Sequence, residues 1–380
     1  MKILATAKQR GAVNLLVPVI HQLKKTSKQN ELALTIFASG NDVEAAGFGD
    51  LYHTRLESED CHALLNGYDL LIAGADCYNT LTGELVKAAN SLGIPSIMIH
   101  GQNENHKDYF GYDSNRFEYL PTLIGIMDNE TREGIKQELG GALGEEATKR
   151  CRIVGWTAFD HYPQIREAFT LKDKEDLLAK IELDSSREIY VHFTQNVHPD
   201  SVYMQKTPLS SERKQEDYNY EIKVTQAVFE AASDLGKKLV VKPHPGEEHS
   251  VNITKELTDR HVFIYLPAKA CSSQQLMLAA DSVTAGRSTC LTEACLLDRN
   301  IGGIFTEEKG HTWEKAFPPI ALGAIPYAKE WDEVKEVLQK VTSLDETVRA
   351  QLAHDRKKFS VDGKASERAA QLVYELLGLK

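Results

Sequence analysis

The chain is poor in several things, and each shortage removes a class of function. Cysteine is scarce: Cys61, Cys77, Cys151, Cys271, Cys290 and Cys295 are the 6 in 380 residues, and no two have C-x-x-C spacing. That excludes a zinc knuckle or a dithiol redox pair of the usual kind and predicts six reduced thiols with packing roles. Positive charge is also short. Lys plus Arg number 44 against 55 Asp plus Glu, a net charge of −11, so the basic surface that sequence-independent nucleic-acid binding needs is missing. No apolar run approaches the roughly 18 residues of a membrane span, and Met1-Lys2-Ile3-Leu4 enters a strand rather than a leader peptide. A cytoplasmic protein with no transmembrane segment is expected. Neither Gly-x-Gly-x-x-Gly nor the P-loop pattern occurs, which argues against a dinucleotide enzyme and a nucleoside triphosphatase.

What is present is ordinary globular material, 42% hydrophobic and 26% charged, and at this length two domains are the prior. Apolar strands alternate with helical patterns: Ile3–Ala7, a turn at Lys8–Gly11, a helix through Leu23, then strands at Ala33–Ala38, Asp69–Ala73, Ile94–Ile99, Leu123–Met127 and Arg152–Val154. The strands lack polar alternation, as parallel strands covered on both faces do. Residues 1–163 read as one α/β domain, 164–186 as a charged helical linker, 187–350 as a second α/β domain and 351–380 as C-terminal helices, with Ser366 a cap for the last of them. In the second domain a strand over Glu188–Phe193 precedes a polar stretch from Asn196 to Tyr220, long for a loop in a compact domain. A helix over 221–235 then leads to strands at 239–241, 262–265, 282–284 and 301–305. Trp331, Val334, Val337, Leu338 and Val341 fall at helical spacing.

The chain is organised around Lys238–Glu293. Leu239-Val240-Val241 is a short buried strand whose exit is stiffened by Pro243 and Pro245, which holds His244 at a strand end. Further on, Gly286 permits a tight turn, and Ser288 or Thr289 can cap a helix running through Leu297. Thr289 and Glu293 are four apart and share a helix face, so an acceptor lies about one turn, roughly 5–6 Å, below a phosphate-sized site. Phosphate above and carboxylate below suit a nucleotide diphosphate and its ribose. Open parallel sheets place ligands at the carboxyl ends of their strands, where Arg10, Asp76, His100, His192, His244 and the 286–293 turn fall; Arg10, Lys242 and Arg287 are candidate positive sites for a phosphate. Two facing sheets would enclose a cleft.

This order of motifs resembles the GT-B superfamily of glycosyltransferases and the related non-hydrolysing nucleotide-sugar (UDP-GlcNAc) 2-epimerases. The epimerases are similar in an Arg after the first strand with a Pro eight residues on (Arg10, Pro18), in an aspartate (Asp76), and in a Gly-Ile-Pro strand (Gly93-Ile94-Pro95). They are similar too in a histidine opening the second domain (His192), a His-Pro strand end (His244-Pro245) and a ribose-binding carboxylate in a Glu-Ala pair (Glu293-Ala294). The resemblance implies two Rossmann-like domains facing across a cleft, and a nucleotide-sugar held mainly by the second.

The departures bear on chemistry. Where the epimerases carry a catalytic glutamate this chain has His100-Gly101, and the Arg-Arg-Glu-Asn run after the family histidine reads Phe193-Thr194-Gln195-Asn196. His100-Gly101 looks instead like the His-Gly motif of CDP-glycerol glycerophosphotransferases. Several sialyl- and Kdo-type transferases are similar in pairing a His-Pro motif with a later Ser/Thr pair, here Ser288-Thr289. In that light His100 or Asp76 is the base for an acceptor hydroxyl, while Asp76, Asp113 and His192 are the acid/base candidates that keep epimerisation open. Arg10, Lys242, His244, Gly286, Arg287, Ser288, Thr289 and Glu293 hold the nucleotide. No Asp-x-Asp, the pattern by which GT-A transferases hold a divalent ion, occurs, so neither metal nor other cofactor is expected. The reading is a metal-independent glycosyltransferase taking a UDP-, CDP- or CMP-linked donor, its acceptor unspecified. The alternative is a UDP-GlcNAc-like 2-epimerase, whose relatives are typically homodimers; the third is an inactive nucleotide-sugar-binding protein.

Overall fold

The computed structural model describes residues 1–7, 10–26, 33–38, 60–76, 81–101, 106–110, 117–195, 210–244, 263–267, 270–306 and 317–379. The chain divides into two compact units, Met1–His161 with Val361–Lys380, and Tyr162–Ser360.

The first unit contains β1 (Lys2–Ala7), α1 (Arg10–Thr26), β2 (Ala33–Ala38), α2 (Cys61–Leu65), β3 (Leu70–Gly74), α3 (Leu81–Leu92), β4 (Ser96–Ile99), β5 (Leu123–Ile126), α4 (Asn129–Leu139), α5 (Gly141–Arg150) and β6 (Cys151–Ile153). The six strands form one parallel sheet in the order β2-β1-β3-β4-β5-β6. Alternation along β1 sends Ile3, Ala5 and Ala7 into a core with α1 on one face and Leu4 into a second core on the other. This is why the strands read as unbroken apolar runs.

The second unit contains α6 (Tyr162–Ala168), α7 (Leu171–Lys180), β7 (Tyr190–Phe193), α8 (Ser211–Asp234), β8 (Leu239–Lys242), β9 (Phe263–Tyr265), α9 (Ser273–Ala279), β10 (Ser282–Ala285), α10 (Cys290–Leu296), β11 (Asn300–Ile304), α11 (Pro318–Ala321), β12 (Tyr327–Ala328), α12 (Val334–Val341) and α13 (Glu346–Arg356). Its parallel sheet runs β12-β11-β10-β7-β8-β9. Counted within the unit this is the 3-2-1-4-5-6 order of a doubly wound sheet, and the winding reverses between β7 and β10.

Several boundaries differ from expectation. The polar stretch does not run as a loop to Tyr220: residues 196–209 lie outside the described set, and Ser210 caps α8 by accepting from the Arg213 N–H at 3.2 Å. The helix buries Tyr220, Glu221, Val224, Thr225 and Val228 along one face, a spacing that extends helically upstream of residue 221. The expected linker, 164–186, holds most of α6 and all of α7 and groups with the second unit. Trp331 lies outside α12, in a 3-10 turn at 40% exposure.

The final helix, α14 (Ala365–Leu376), groups with the first unit, because its Ala369, Ala370 and Val373 join the α1 core. Ser366 is not its cap but lies within it, and Lys364 at the cap position makes no side-chain bond. Asp160 does the capping from 205 residues upstream: its two oxygens accept the backbone N–H groups of Ala365 at 3.0 Å and Ser366 at 2.5 Å. Asp160→Ala should therefore cost the first unit about 1–2 kcal/mol, read as a lower urea midpoint with an unchanged slope. An unchanged midpoint would show that α14 holds without the cap.

Candidate functional site

In the second unit the strand order reverses between β7 and β10, and doubly wound sheets take ligands in a crevice outside the carboxyl ends of the strands at such a reversal. His192 is register-paired with Thr284, so both side chains project to the same face, the one covered by α8 through Tyr190, Val224 and Val228. His192 is fully buried, and its Nδ1 lies 3.1 Å from the Thr284 hydroxyl. Its Nε2 is buried with no hydrogen-bond partner among the described residues. Burial brings the imidazole pKa down to about 4, so at neutral pH it offers a hydrogen bond and no charge.

One face of α8 holds this crevice together. The Glu221 carboxylate, 1% exposed, accepts the Gln195 N–H just beyond β7 at 3.0 Å. A Cβ on Gly286, just beyond β10, would sit 3.5 Å from its other oxygen. One turn earlier, Asp217 approaches Arg287 at 3.5 Å and Arg213 at 3.3 Å, while the Arg287 guanidinium lies over the Tyr220 ring at 4.2 Å. The positive charge at the turn is thus already matched by Asp217. Gly286 has no positive φ, so the turn does not draw on a glycine's left-handed freedom.

The Thr289 side chain bonds not to backbone N–H but to Glu293, 3.3 Å away; Ser288 Oγ takes the Cys290 N–H at 3.3 Å. Of the two candidate caps, Ser288 is the one that accepts. The second oxygen of Glu293 accepts from the Tyr162 hydroxyl at 2.7 Å, which in turn accepts from Gln274 at 2.9 Å. Burial, and then the Glu293 charge, push the Tyr162 pKa far up, so this phenol stays a donor. The chain Gln274, Tyr162, Glu293, Thr289 fixes the carboxylate's orientation, and each of its oxygens retains lone-pair capacity for a diol.

Two expected phosphate ligands are placed otherwise. Lys242 pairs in register with Phe193 and so projects to the sheet face opposite His192. It is 1% exposed, donates to the Pro267 carbonyl at 3.1 Å, and burial lowers its pKa. A strand-end lysine was expected to reach into the crevice, but the two-residue period of the strand turns it away. His244 lies two residues past β8 and is exposed, and residues 245–262 are outside the described set.

In the first unit the winding reverses between β1 and β3. Arg10 opens α1 and is helical, not part of a turn, as is Gly11; the Arg10 side chain lies outside the described set. Asp76 lies two residues past β3, 5% exposed, and accepts from Thr82 Oγ1 at 2.5 Å. His100 follows the neighbouring β4 and is 1% exposed, its Nε2 2.8 Å from Nδ1 of the fully buried His106. One ring must present N–H to the other's lone pair, so the pair cannot both be charged. Burial, then His106, hold the His100 pKa well below the ordinary value. Gly101 has a packing reason: a Cβ there would meet Leu15 of α1 at 2.5 Å. Asp113, a further acid/base candidate, is outside the described set.

His106, Asp217, Tyr220, Glu221 and Tyr162 did not emerge from motif reading. The three on α8 carry a signal, their 3–4 spacing continuous with Val224 and Val228; Tyr162 carries none. Among the described residues no group of His, Cys, Asp and Glu is arranged to hold a metal, the five described cysteines are free thiols, and no helix is long and apolar enough to cross a membrane.

No protein-family model matches the chain, and no curated protein matches it significantly. Solved structures do match across its whole length. A Staphylococcus aureus MnaA–UDP co-structure aligns with a TM-score of 0.68 at 12% identity, covering 100% of this chain and 97% of the other. A Neisseria meningitidis UDP-GlcNAc 2-epimerase bound to UDP-GlcNAc aligns at 0.66 and 13%, covering 99% and 100%. Acinetobacter baumannii MurG aligns at 0.58 and 10%, covering 98% and 99%. The likeness shows the fold: this chain shares with these structures an architecture of two α/β units, each built on a parallel sheet.

His192 gives the site a pH signature. Its folded pKa, about 4, lies below the unfolded value of 6.5, so the unfolded state takes up a proton first as pH falls. The stability it allows is complete above pH 6.5 and is lost between there and pH 4, roughly 2 kcal/mol of it by pH 5. Urea titrations at pH 7.5 and 5.0 should show this loss, and His192→Asn should lose less. Equal losses in both proteins would remove His192 as a buried titrating group.

Proposed function

We propose that this chain is a GT-B-type glycosyltransferase that binds a nucleotide-sugar donor in its second unit and moves the sugar or sugar-like group to an acceptor without a metal ion. The observation that supports the reading is the strand-order reversal at β7/β10, with the Gly286–Thr289 turn just beyond β10 and Glu293 pre-oriented one turn below. The donor diphosphate lies against the turn, and Arg287 exchanges Asp217 for phosphate oxygens. Ser288 and Thr289 hydroxyls add neutral donors, and His244 stands by as a further cation when protonated. The ribose diol donates to Glu293. Charge developing on the departing phosphate is met by these fixed groups, the electrostatic part of transfer.

In the first unit Asp76 and His100 follow neighbouring strands and are the candidates to accept the acceptor's hydroxyl proton. With Nε2 of His100 donating to His106, its Nδ1 presents a lone pair and the ring is neutral at pH 7, the state a base requires.

An epimerase reading is favoured by a specific observation, that full-length structural matches include UDP-GlcNAc 2-epimerases. Against it stands His100 where those enzymes resemble each other in a catalytic glutamate: epimerisation needs an acid and a base on opposite sides of C2.

Incubation with a UDP-sugar in deuterated water separates the readings. Deuterium at C2 of the recovered sugar would overturn transfer in favour of epimerisation, and a nucleotide released without it supports transfer. His100→Ala should abolish turnover and spare donor binding; full turnover would take His100 out of the mechanism. A thermal-shift panel of UDP, CDP, CMP, GDP and TDP should single out one base, at 100 times its dissociation constant by roughly 2.7 kcal/mol. Glu293→Ala should weaken that nucleotide at least about tenfold. If no nucleotide stabilises the protein, the donor assignment falls.

A further inference from the structure

A cavity of about 300 Å³ opens in the second unit, lined by Asp281, Asp298, Arg299, Asn300, Arg349 and Arg356. Asp281 immediately precedes β10 and Arg299 immediately precedes β11. The cavity therefore lies at the amino ends of those strands, the opposite end of the sheet from the β7/β10 crevice.

Its charges are unequal in how they are met. The Asp281 carboxylate is satisfied twice, by the Lys174 ammonium at 3.1 Å and the Ile189 N–H at 2.8 Å. Asp298, held at φ 58°, accepts from Arg356 Nε at 2.9 Å, and Arg356 also donates to Asn300 at 2.8 Å. Those carboxylates have their cations. Among the described residues Arg299 has no carboxylate within ion-pair distance, Asp298 and Asp281 acting on it only from farther off: its Nε donates to the Leu297 carbonyl at 3.1 Å and its Nη1 to the Leu278 carbonyl at 3.3 Å. A guanidinium has five N–H donors, so most of those on Arg299 remain unused by protein acceptors. Arg349 donates to the Ser343 carbonyl at 2.9 Å, and its nearest carboxylate, Glu188, is 3.8 Å away, beyond hydrogen-bond reach.

Partly burying a cation is costly unless an opposite charge accompanies it. Burial does depress the Arg299 pKa. Carbonyl dipoles tether this guanidinium in a fixed orientation without neutralising it, and a second arginine stands on the same cavity wall.

We propose that this cavity is an anion site for a small phosphorylated molecule, with Arg299 as its principal ligand and Arg349 as the second. Planar guanidinium forks suit phosphate oxygens, and the volume is at the lower end of that of small-molecule pockets. The site is separate from the proposed donor crevice and does not depend on it.

The test uses the full chain and inorganic pyrophosphate as probe, titrated by calorimetry. An Arg287→Gln background removes the proposed phosphate contact at the other end of the sheet. In that background pyrophosphate should still bind, with affinity falling as salt rises, and adding Arg299→Gln should weaken it at least about tenfold, the loss of one charge-assisted hydrogen bond. Arg349→Gln, on the open wall, tests the same site with little risk to folding and should weaken binding as well. Circular-dichroism melts establish that each variant is folded. The proposal is overturned if pyrophosphate fails to bind the Arg287→Gln protein, or if both cavity variants bind it as that background does. Failure of the donor assignment would register separately, as the absence of any nucleotide thermal shift.

Discussion

The adjacency of β7 and β10 is the constraint on which the rest of the second unit depends. The two strands are separated by more than 80 residues of chain, and only the reversal of winding makes them neighbours. That pairing sets Thr284 against His192 and brings the Gln195 N–H and Gly286 to either side of Glu221, at the reversal where doubly wound sheets take ligands.

The polar groups around this edge are arranged so that charge is held close but not spent. His192 and His100 are both buried and both neutral, so neither can oppose a phosphate by charge. A cation just beyond β10 is Arg287, which Asp217 approaches and which stacks on Tyr220. An incoming anion would compete with Asp217 for a guanidinium already oriented, which limits the reorganisation that binding requires. Glu293 follows the same pattern, its rotamer locked by Tyr162 and Thr289 before any ligand arrives. At the far end of the sheet, Arg299 differs in being tethered by carbonyls alone.

Much of the fold was legible. The apolar runs of β1 to β6 fall within a residue or two of their expected places because strands covered on both faces leave a simple signal, and Glu293 and Thr289 share a face because a helix repeats every 3.6 residues. Legibility failed where a partner lies far off in sequence. Ser366 had the residue type of a cap, but a carboxylate from Asp160 reached the orphan N–H groups first. Lys242 had the charge of a phosphate ligand, but the strand's alternation pointed it to the other face and the Pro267 carbonyl satisfied it. The start of α8 was hidden because Asp217 and Glu221 are polar and read as loop, although they face inward.

The sequence by itself determined the periodicities, and with them two parallel α/β sheets and the turn beside Glu293, since these follow from local backbone geometry and burial. Tertiary structure alone decided which strands became neighbours, which of two faces each strand-end side chain took, and which charges had already found partners. Those outcomes depend on contacts between residues distant in the chain, such as Tyr162 with Glu293, 131 positions apart, and no local pattern encodes them.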